Sequence, residues 1–301
     1  MKKVQVIGAA IVDILVSGAD ESVFHTGSSP TGGIRMSYGG DALNEAVVLR
    51  HLGVPVRLET VIGDDEAGKS VLQKITAAGV DTAGVHIRKG LRTGINVVLI
   101  DHRGERSFLT DPAGSLRQLG PEDITLPLPE DIGILSLASI FVSPLLGIQE
   151  METLFRQAKV QGITTCADMT RCKHGETPEV MAPVLRYVDY LLPNESEAMR
   201  LTGCATVEAA ADALHRAGAG TVIVKCGAKG CYAKTAERSF WAEAEQNIPC
   251  VDSTGAGDSF AAGFLCGLAQ ELPLEACIAL ANQCGAKAIQ RVGATAWTES
   301  P

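Results

Sequence analysis

Apolar positions along the chain gather into short runs rich in Val, Ile and Leu, at 4–12, 56–62, 132–138, 163–167, 188–192 and 221–226. Most of these runs are followed by a stretch in which apolar residues return every third or fourth position, as in ALNEAVVLRHLG, GKSVLQKITAAG and QEMETLFRQAKVQG. The first pattern predicts buried strands and the second predicts amphipathic helices. Their alternation predicts an α/β fold with parallel strands joined by crossover helices. Two regions interrupt the rhythm. Residues 15–38 are polar and glycine-rich, and residues 85–111 contain TGINVVLIDHRGERSFLT, which reads as two alternating strands joined by a turn at Arg103-Gly104. Neither region carries a helical pattern. Strands inserted between βα units are expected to form a separate small sheet, placed as a lid beside the C-terminal edge of the main strands.

Composition narrows the partners. A chain of 301 residues with 32 glycines and 4% aromatics suits close-packed layers in one large folding unit. The net charge of -9, without a basic block, excludes a nucleic-acid surface and favours a small-molecule partner. Nine cysteines, an odd number with no C-x-x-C pair, read as reduced thiols and predict a cytoplasmic protein. No membrane segment is expected. The N-terminal apolar run is interrupted by Gln5 and Asp13, and IGILSLASIFVSPLLGI at 132–148 carries three serines, a proline and two glycines.

GDDEAGKS at 63–70 matches the P-loop pattern G-x-x-x-x-G-K-[ST], between a strand-like and a helix-like stretch, so a P-loop NTPase is one reading. Its content argues against that reading. Asp64, Asp65 and Glu66 fill the wrap, and at about 6 Å each carboxylate would repel each phosphate charge by roughly 2 to 3 kcal/mol. A strand-to-helix turn capped by Asp64 and Asp65, with Lys69 in solvent, is the alternative.

The densest chemistry lies in VDSTGAGDSFAAGFLCGLAQ at 251–270. Gly255, Ala256 and Gly257 lead into a helical run, so nearly bare backbone amides point out of a positive helix end. Asp258 follows in the first turn. A first-turn acid can simply complement the helix dipole, but a carboxylate beside an anion hole is also what phosphoryl transfer to an alcohol requires.

DSTGAGDSFAAGF resembles the second signature of the ribokinase-like (PfkB-type) carbohydrate kinases, and Gly39-Gly40-Asp41-Ala42-Leu43-Asn44 resembles their first, G-G-x-x-x-N. Between them, LLPNESEAMRLTG resembles the N-x-x-E element with Asn194 and Glu197. VKCGAKGC resembles the nucleotide-binding strand and turn, with Lys225, Gly227 and Gly230. The resemblance covers nearly the whole chain and includes a bacterial subgroup of uncharacterised sugar kinases. It implies a three-layer α/β/α domain over residues 1–301, with helices on both faces of the sheet. A β lid from about 15–38 and 85–111 is implied to clasp a homodimer. It also implies ATP and Mg²⁺, a small sugar acceptor and Asp258 as general base, with 255–257 as the anion hole.

Each implied role has a physical counterpart. Asp13, at a strand end, can accept hydrogen bonds from vicinal hydroxyls, and Gly39 and Gly40 let the backbone approach a sugar closely. Asn44 offers a donor and an acceptor, while Glu197, one turn from Asn194, suits a water-bound Mg²⁺. Gly227 and Gly230 read equally as a hairpin turn, and Asn282, at the implied adenine position, equally as a helix-surface residue. Asp252 and Thr254 match positions where relatives hold a monovalent cation such as K⁺, and equally an ordinary turn. Asp168 and Arg171 resemble a D-x-N-x-R element with its Asn replaced by Thr.

Departures from the family pattern bear on the acceptor. Asp41 places a negative charge beside the sugar pocket, which disfavours a phosphorylated sugar. Ala138 or Ser139 stands where ribokinases carry a glutamate, which argues against ribose. A ketose, a polyol-like sugar or a related acid is expected. Nucleosides fit less well with two tryptophans and four tyrosines for stacking. A non-catalytic sugar or nucleotide sensor on the same fold is the remaining alternative.

Overall fold

The computed structural model describes residues 1–102 and 106–299. The chain opens with β1 (Lys3–Ile7) and then leaves the main sheet through β2 (Ile11–Ser17), a single-turn helix α1 (Val23–Thr26) and β3 (Gly33–Gly39). It returns through α2 (Asp41–His51), β4 (Val56–Gly63), α3 (Glu66–Ala77) and β5 (Asp81–Arg88). A second departure gives β6 (Ile95–Ile100) and β7 (Arg106–Thr110). Alternation then resumes with β8 (Ile132–Ile140), α4 (Ile148–Val160), β9 (Thr164–Met169), α5 (Pro178–Leu185) and β10 (Tyr190–Leu191). Helices α6 (Glu195–Thr202) and α7 (Val207–Arg216) lead to β11 (Thr221–Lys225) and the strands β12 (Cys231–Lys234) and β13 (Ser239–Ala242). Helices α8 (Ala256–Ala269) and α9 (Leu274–Ala288) complete the layers. Among the described residues no helix is long and apolar enough to cross a membrane.

The nine-stranded sheet has the order β13-β12-β11-β10-β9-β8-β1-β4-β5, parallel from β5 to β11 and antiparallel over β12 and β13. Residues of α4, α5, α6 and α7 pack on one face, and α2, α3, α8 and α9 pack on the other. The central strands are buried on both sides, which is why they appear as continuous apolar runs. Helix α8 shows almost no amphipathic pattern because it is buried nearly all round. A Cβ on its Gly263 would lie 2.8 Å from the Leu280 oxygen, and one on Gly267 would lie 2.8 Å from the Cys277 Cα. These glycines let α9 approach at backbone contact, which accounts for part of the glycine-rich, aromatic-poor composition.

A second, four-stranded sheet has the order β3-β2-β6-β7. Three sequence expectations are adjusted here. The 4–12 run is two strands in two sheets, because Gly8, at φ 155°, turns the chain between Ile7 and Ile11. The 15–38 region does contain a helix, the four-residue α1 stopped by Gly27 in the left-handed conformation. Residues 85–88 belong to β5 in the main sheet, so this insertion contributes only β6 and β7 to the lid. The turn expected at Arg103-Gly104 lies outside the described residues.

Candidate functional site

The C-terminal ends of the parallel strands and the N-termini of α2 and α8 converge on one place. Gly255, at φ 70°, is the left-handed N-cap of α8, and the first helix-closing bond runs from the Ser259 amide to the Gly255 carbonyl at 2.8 Å. The amides of Gly257 and Asp258 therefore precede the hydrogen-bonded ladder and are positioned for an anion. Lys225, ending β11, brings its Nζ to 3.4 Å from where a Cβ on Gly257 would sit. It is ion-paired with the buried Asp168 at the end of β9. Burial pushes Asp168 up to about 6, with the Lys225 charge opposing that rise.

Asp258 accepts a hydrogen bond from Asn44 Nδ2 at 2.7 Å. Burial, followed by the charge of Asp41, pushes its carboxyl up to about 7, against the Asn44 bond. A carboxylate in this state is matched to accepting an alcohol proton near neutral pH. Burial also raises Asp41, which accepts from the amides of Ala42 at 2.9 Å and Ala9 at 3.2 Å and from Ser139. Ala138, by contrast, packs in the core.

The paired glycines are required by contact. A Cβ on Gly39 would fall 2.1 Å from Asp13 Oδ2, and one on Gly40, at φ 94°, would fall 2.4 Å from the Ala9 carbonyl oxygen. Gly39 thus leaves room for the Asp13 carboxylate, and Gly40 lets the start of α2 approach the β1–β2 turn. Asp13 lies on the lid strand β2, where Asn96 of β6 donates to it at 3.2 Å. Burial raises its pKa, against the Asn96 bond and the Arg106 charge.

Other expected residues are placed as follows. Asn194 and Glu197 form a reciprocal capping box on α6, with bonds of 2.8 and 2.9 Å. Glu197 remains close enough for its charge to act on Lys225. Gly227 and Gly230, at φ 56° and 90°, form the tight turn between β11 and β12. Asn282 on α9 donates to the Glu243 carbonyl at 3.2 Å. Arg171 is exposed on the loop after β9.

Asp252 and Thr254 are occupied by the chain itself. Asp252 accepts from Arg106, from the Thr254 amide and hydroxyl at 2.9 and 2.7 Å, and from the Gly293 amide at 2.9 Å. A monovalent cation about 4 Å from the Arg106 charge would be repelled by roughly 4 kcal/mol at an effective dielectric of 20. This arrangement does not fit a cation on the Asp252 carboxylate.

The 63–70 loop is likewise closed on itself. Asp65 accepts from the Gly68 amide at 2.8 Å, the Thr93 amide at 2.8 Å and the Thr93 hydroxyl at 2.6 Å. Lys69 pairs with Glu66 in solvent. A carboxylate from the chain thus takes the position that a phosphate would need.

Sequence reasoning missed Asn96, Arg106 and Glu45. Glu45 is fully buried one residue after Asn44, accepts from Ser136 at 2.9 Å, and is held well above its usual value by burial and by the charges of Asp168 and Asp258. Its place, next to the first signature in a helix with little amphipathic contrast, was the available signal. An open cleft of about 1030 Å³ between α5, α6 and α7 contains none of these groups. Convergent chemistry identifies the site better than volume does.

Comparison with known proteins gives the family and the fold. The profile of the pfkB family carbohydrate kinases matches residues 1–301. Fructoselysine 6-kinase of Escherichia coli is 32% identical over 256 residues, covering 85% of this chain and 91% of that protein. Cytidine kinase of Thermococcus kodakarensis is 29% identical over 257 residues, covering 85% and 88%. Arabidopsis thaliana ribokinase, solved with ribose and ATP, superposes with a TM-score of 0.82 at 23% identity, covering 98% of this chain and 95% of that one. The chain belongs to the pfkB family of carbohydrate kinases, and its two sheets and helix layers are the ribokinase-like fold.

Proposed function

We propose that this kinase transfers the γ-phosphate of ATP to a hydroxyl of a small sugar, a ketose or polyol-like sugar being favoured over a sugar acid. The observation that carries the reading is the Asn44-bonded Asp258 carboxylate at the bare N-terminus of α8. The acceptor hydroxyl gives its proton to Asp258 as its oxygen bonds to the γ-phosphorus and the bond to the ADP oxygen breaks. The amides of 255–257 hold the charge that develops on the transferring group. Lys225 lies beside those amides and fits the phosphate chain. The turn at Gly227 and Gly230 and Asn282 on α9 border the strand end and fit the nucleotide. Asn194 caps α6 so that Glu197 faces Lys225, a placement that fits Mg²⁺ held through water. When bound, Mg²⁺ would supply charge neutralisation between the phosphates.

Asp13, Gly39, Gly40, Asp41 and Asn44 form the acceptor side. The carboxyls of Asp41 and Asp258 give it hydrogen-bond acceptors that favour hydroxyl donors, or an amine-bearing sugar, over a carboxylate or phosphate. The similarity to fructoselysine 6-kinases supports a ketose framework. All nine cysteines are unpaired, which supports a reducing cytosolic location.

The outer face of the lid supports a homodimer. Ile34, Met36, Ile95 and Leu109 are exposed, and the pairing registers place them on one side of the second sheet. A second copy covering that side would remove the patch from water.

The test is an ADP-coupled assay of the purified protein against ketoses, fructoselysine, aldoses, sugar acids and nucleosides. Acceptor-dependent turnover with one sugar class is expected. ATP and sugar binding without turnover on any member would replace this reading with a sensor.

A further inference from the structure

The turn that leads into the anion hole is held by a side chain from the lid. Arg106, the first residue of β7, donates from Nη1 to Thr254 Oγ1 and from Nη2 to Asp252 Oδ1. The Thr254 hydroxyl donates to the same Asp252 oxygen at 2.7 Å, closing a three-membered circuit, and Gly293 occupies the other oxygen at 2.9 Å. Asp252 is only 6% exposed, so its carboxylate requires a counter-charge close by. Arg106 provides one from the lid sheet. The same guanidinium acts on Asp13 across the lid.

We propose that Arg106 is a positioning residue that supplies the positive charge Asp252 and Thr254 would otherwise draw from a monovalent cation. The 252–255 turn is then set by the lid. Two consequences separate this arrangement from a plain structural ion pair. The protein has no need of K⁺, because the site is already neutralised. Lifting the lid strips Asp252 of its counter-charge and slackens the turn that carries Gly255, so the anion hole is complete only when the lid is down. Phosphate is thereby held for transfer when an acceptor has closed the lid, which limits loss to water. The catalytic consequence rests on the kinase reading, whereas the charge balance at Asp252 does not.

The experiment compares thermal melts of the wild-type protein, Arg106→Ala and Arg106→Gln in potassium chloride and in choline chloride at equal ionic strength. Turnover is followed in the same salts. The wild type is expected to melt at the same temperature in both salts. Each variant is expected to gain about 3 °C or more in potassium over choline, as a cation takes the vacated charge. Variant turnover in choline should fall by about tenfold or more and recover in potassium, with kcat affected more than KM. A potassium-specific stabilisation or activation of the wild type overturns the proposal. Identical melts of both variants in the two salts also overturn it. The melts decide the matter even where no acceptor supports turnover, so they separate it from failure of the kinase reading.

Discussion

Asn44 on α2 donates to Asp258 on α8 at 2.7 Å, joining the two helix N-termini across 214 residues of sequence. In the proposed reaction one helix carries the acceptor side of the site and the other carries the anion hole. This bond fixes the Asp258 carboxyl, the proposed proton acceptor, between the two helix starts.

Replacing that acceptor should separate activity from stability. Asp258→Asn is expected to lower kcat by about a thousandfold, with little change in ATP affinity. The same change should raise the melting temperature. Between the ordinary carboxylate value and about 7 the folded protein holds a proton at Asp258 that the unfolded chain has released, so ionisation costs stability as pH rises through that window. A neutral amide removes that cost, for a gain of about 1 to 2 kcal/mol at pH 8. Steady-state kinetics and calorimetry at pH 8 check both halves.

The pH profile should show which group titrates. A base held at about 7 makes kcat/KM fall as pH drops below neutrality. Asn44 opposes the rise in the Asp258 value, so Asn44→Ala should move the acid limb to higher pH, by about one unit. An unmoved limb would assign the titration to another group.

The two lysines near glycine-rich turns should behave in opposite ways. Lys69 is paired with Glu66 in solvent, so Lys69→Ala should leave turnover within about twofold of wild type. Lys225 is buried against Asp168 and lies beside Gly257, so Lys225→Met should lower kcat/KM by about a hundredfold or more. Loss of activity in Lys69→Ala would restore the P-loop reading.

The lid patch is testable by charge. Met36→Glu combined with Leu109→Glu places carboxylates on its exposed face, and sedimentation should show a dimer become a monomer. A wild-type protein that sediments as a monomer would refute the lid interface.

The main layers were legible because β8 with α4 and β4 with α3 each obey one local period, and both signatures are contiguous stretches that place their own backbone. What escaped is what depends on partners far along the chain. Nothing near Arg106 announces Asp252, 146 residues away, and nothing near Glu45 announces Ser136. The split between β1 and β2 hid inside one apolar run because Gly8 leaves no trace in hydropathy. The strands β12 and β13 are only four residues each, too short to show an alternation. The 63–70 loop misled in the opposite direction. Its spacing fits phosphate, and only the folded turn shows that Asp65 already takes the Gly68 amide of the loop and the Thr93 amide beside it.

The backbone contact of α8 with α9 through Gly263 and Gly267 has a mechanical consequence. A helix locked through its middle to a neighbour and buried nearly all round cannot slide or tilt independently, so its body behaves as a fixed anvil, and only the turn ahead of Gly255 is left to follow the lid. The travel needed to admit and release ligands then falls to the small sheet above it. That roof can be reshaped for a new acceptor wherever the change leaves Arg106 its hold on the 252–255 turn.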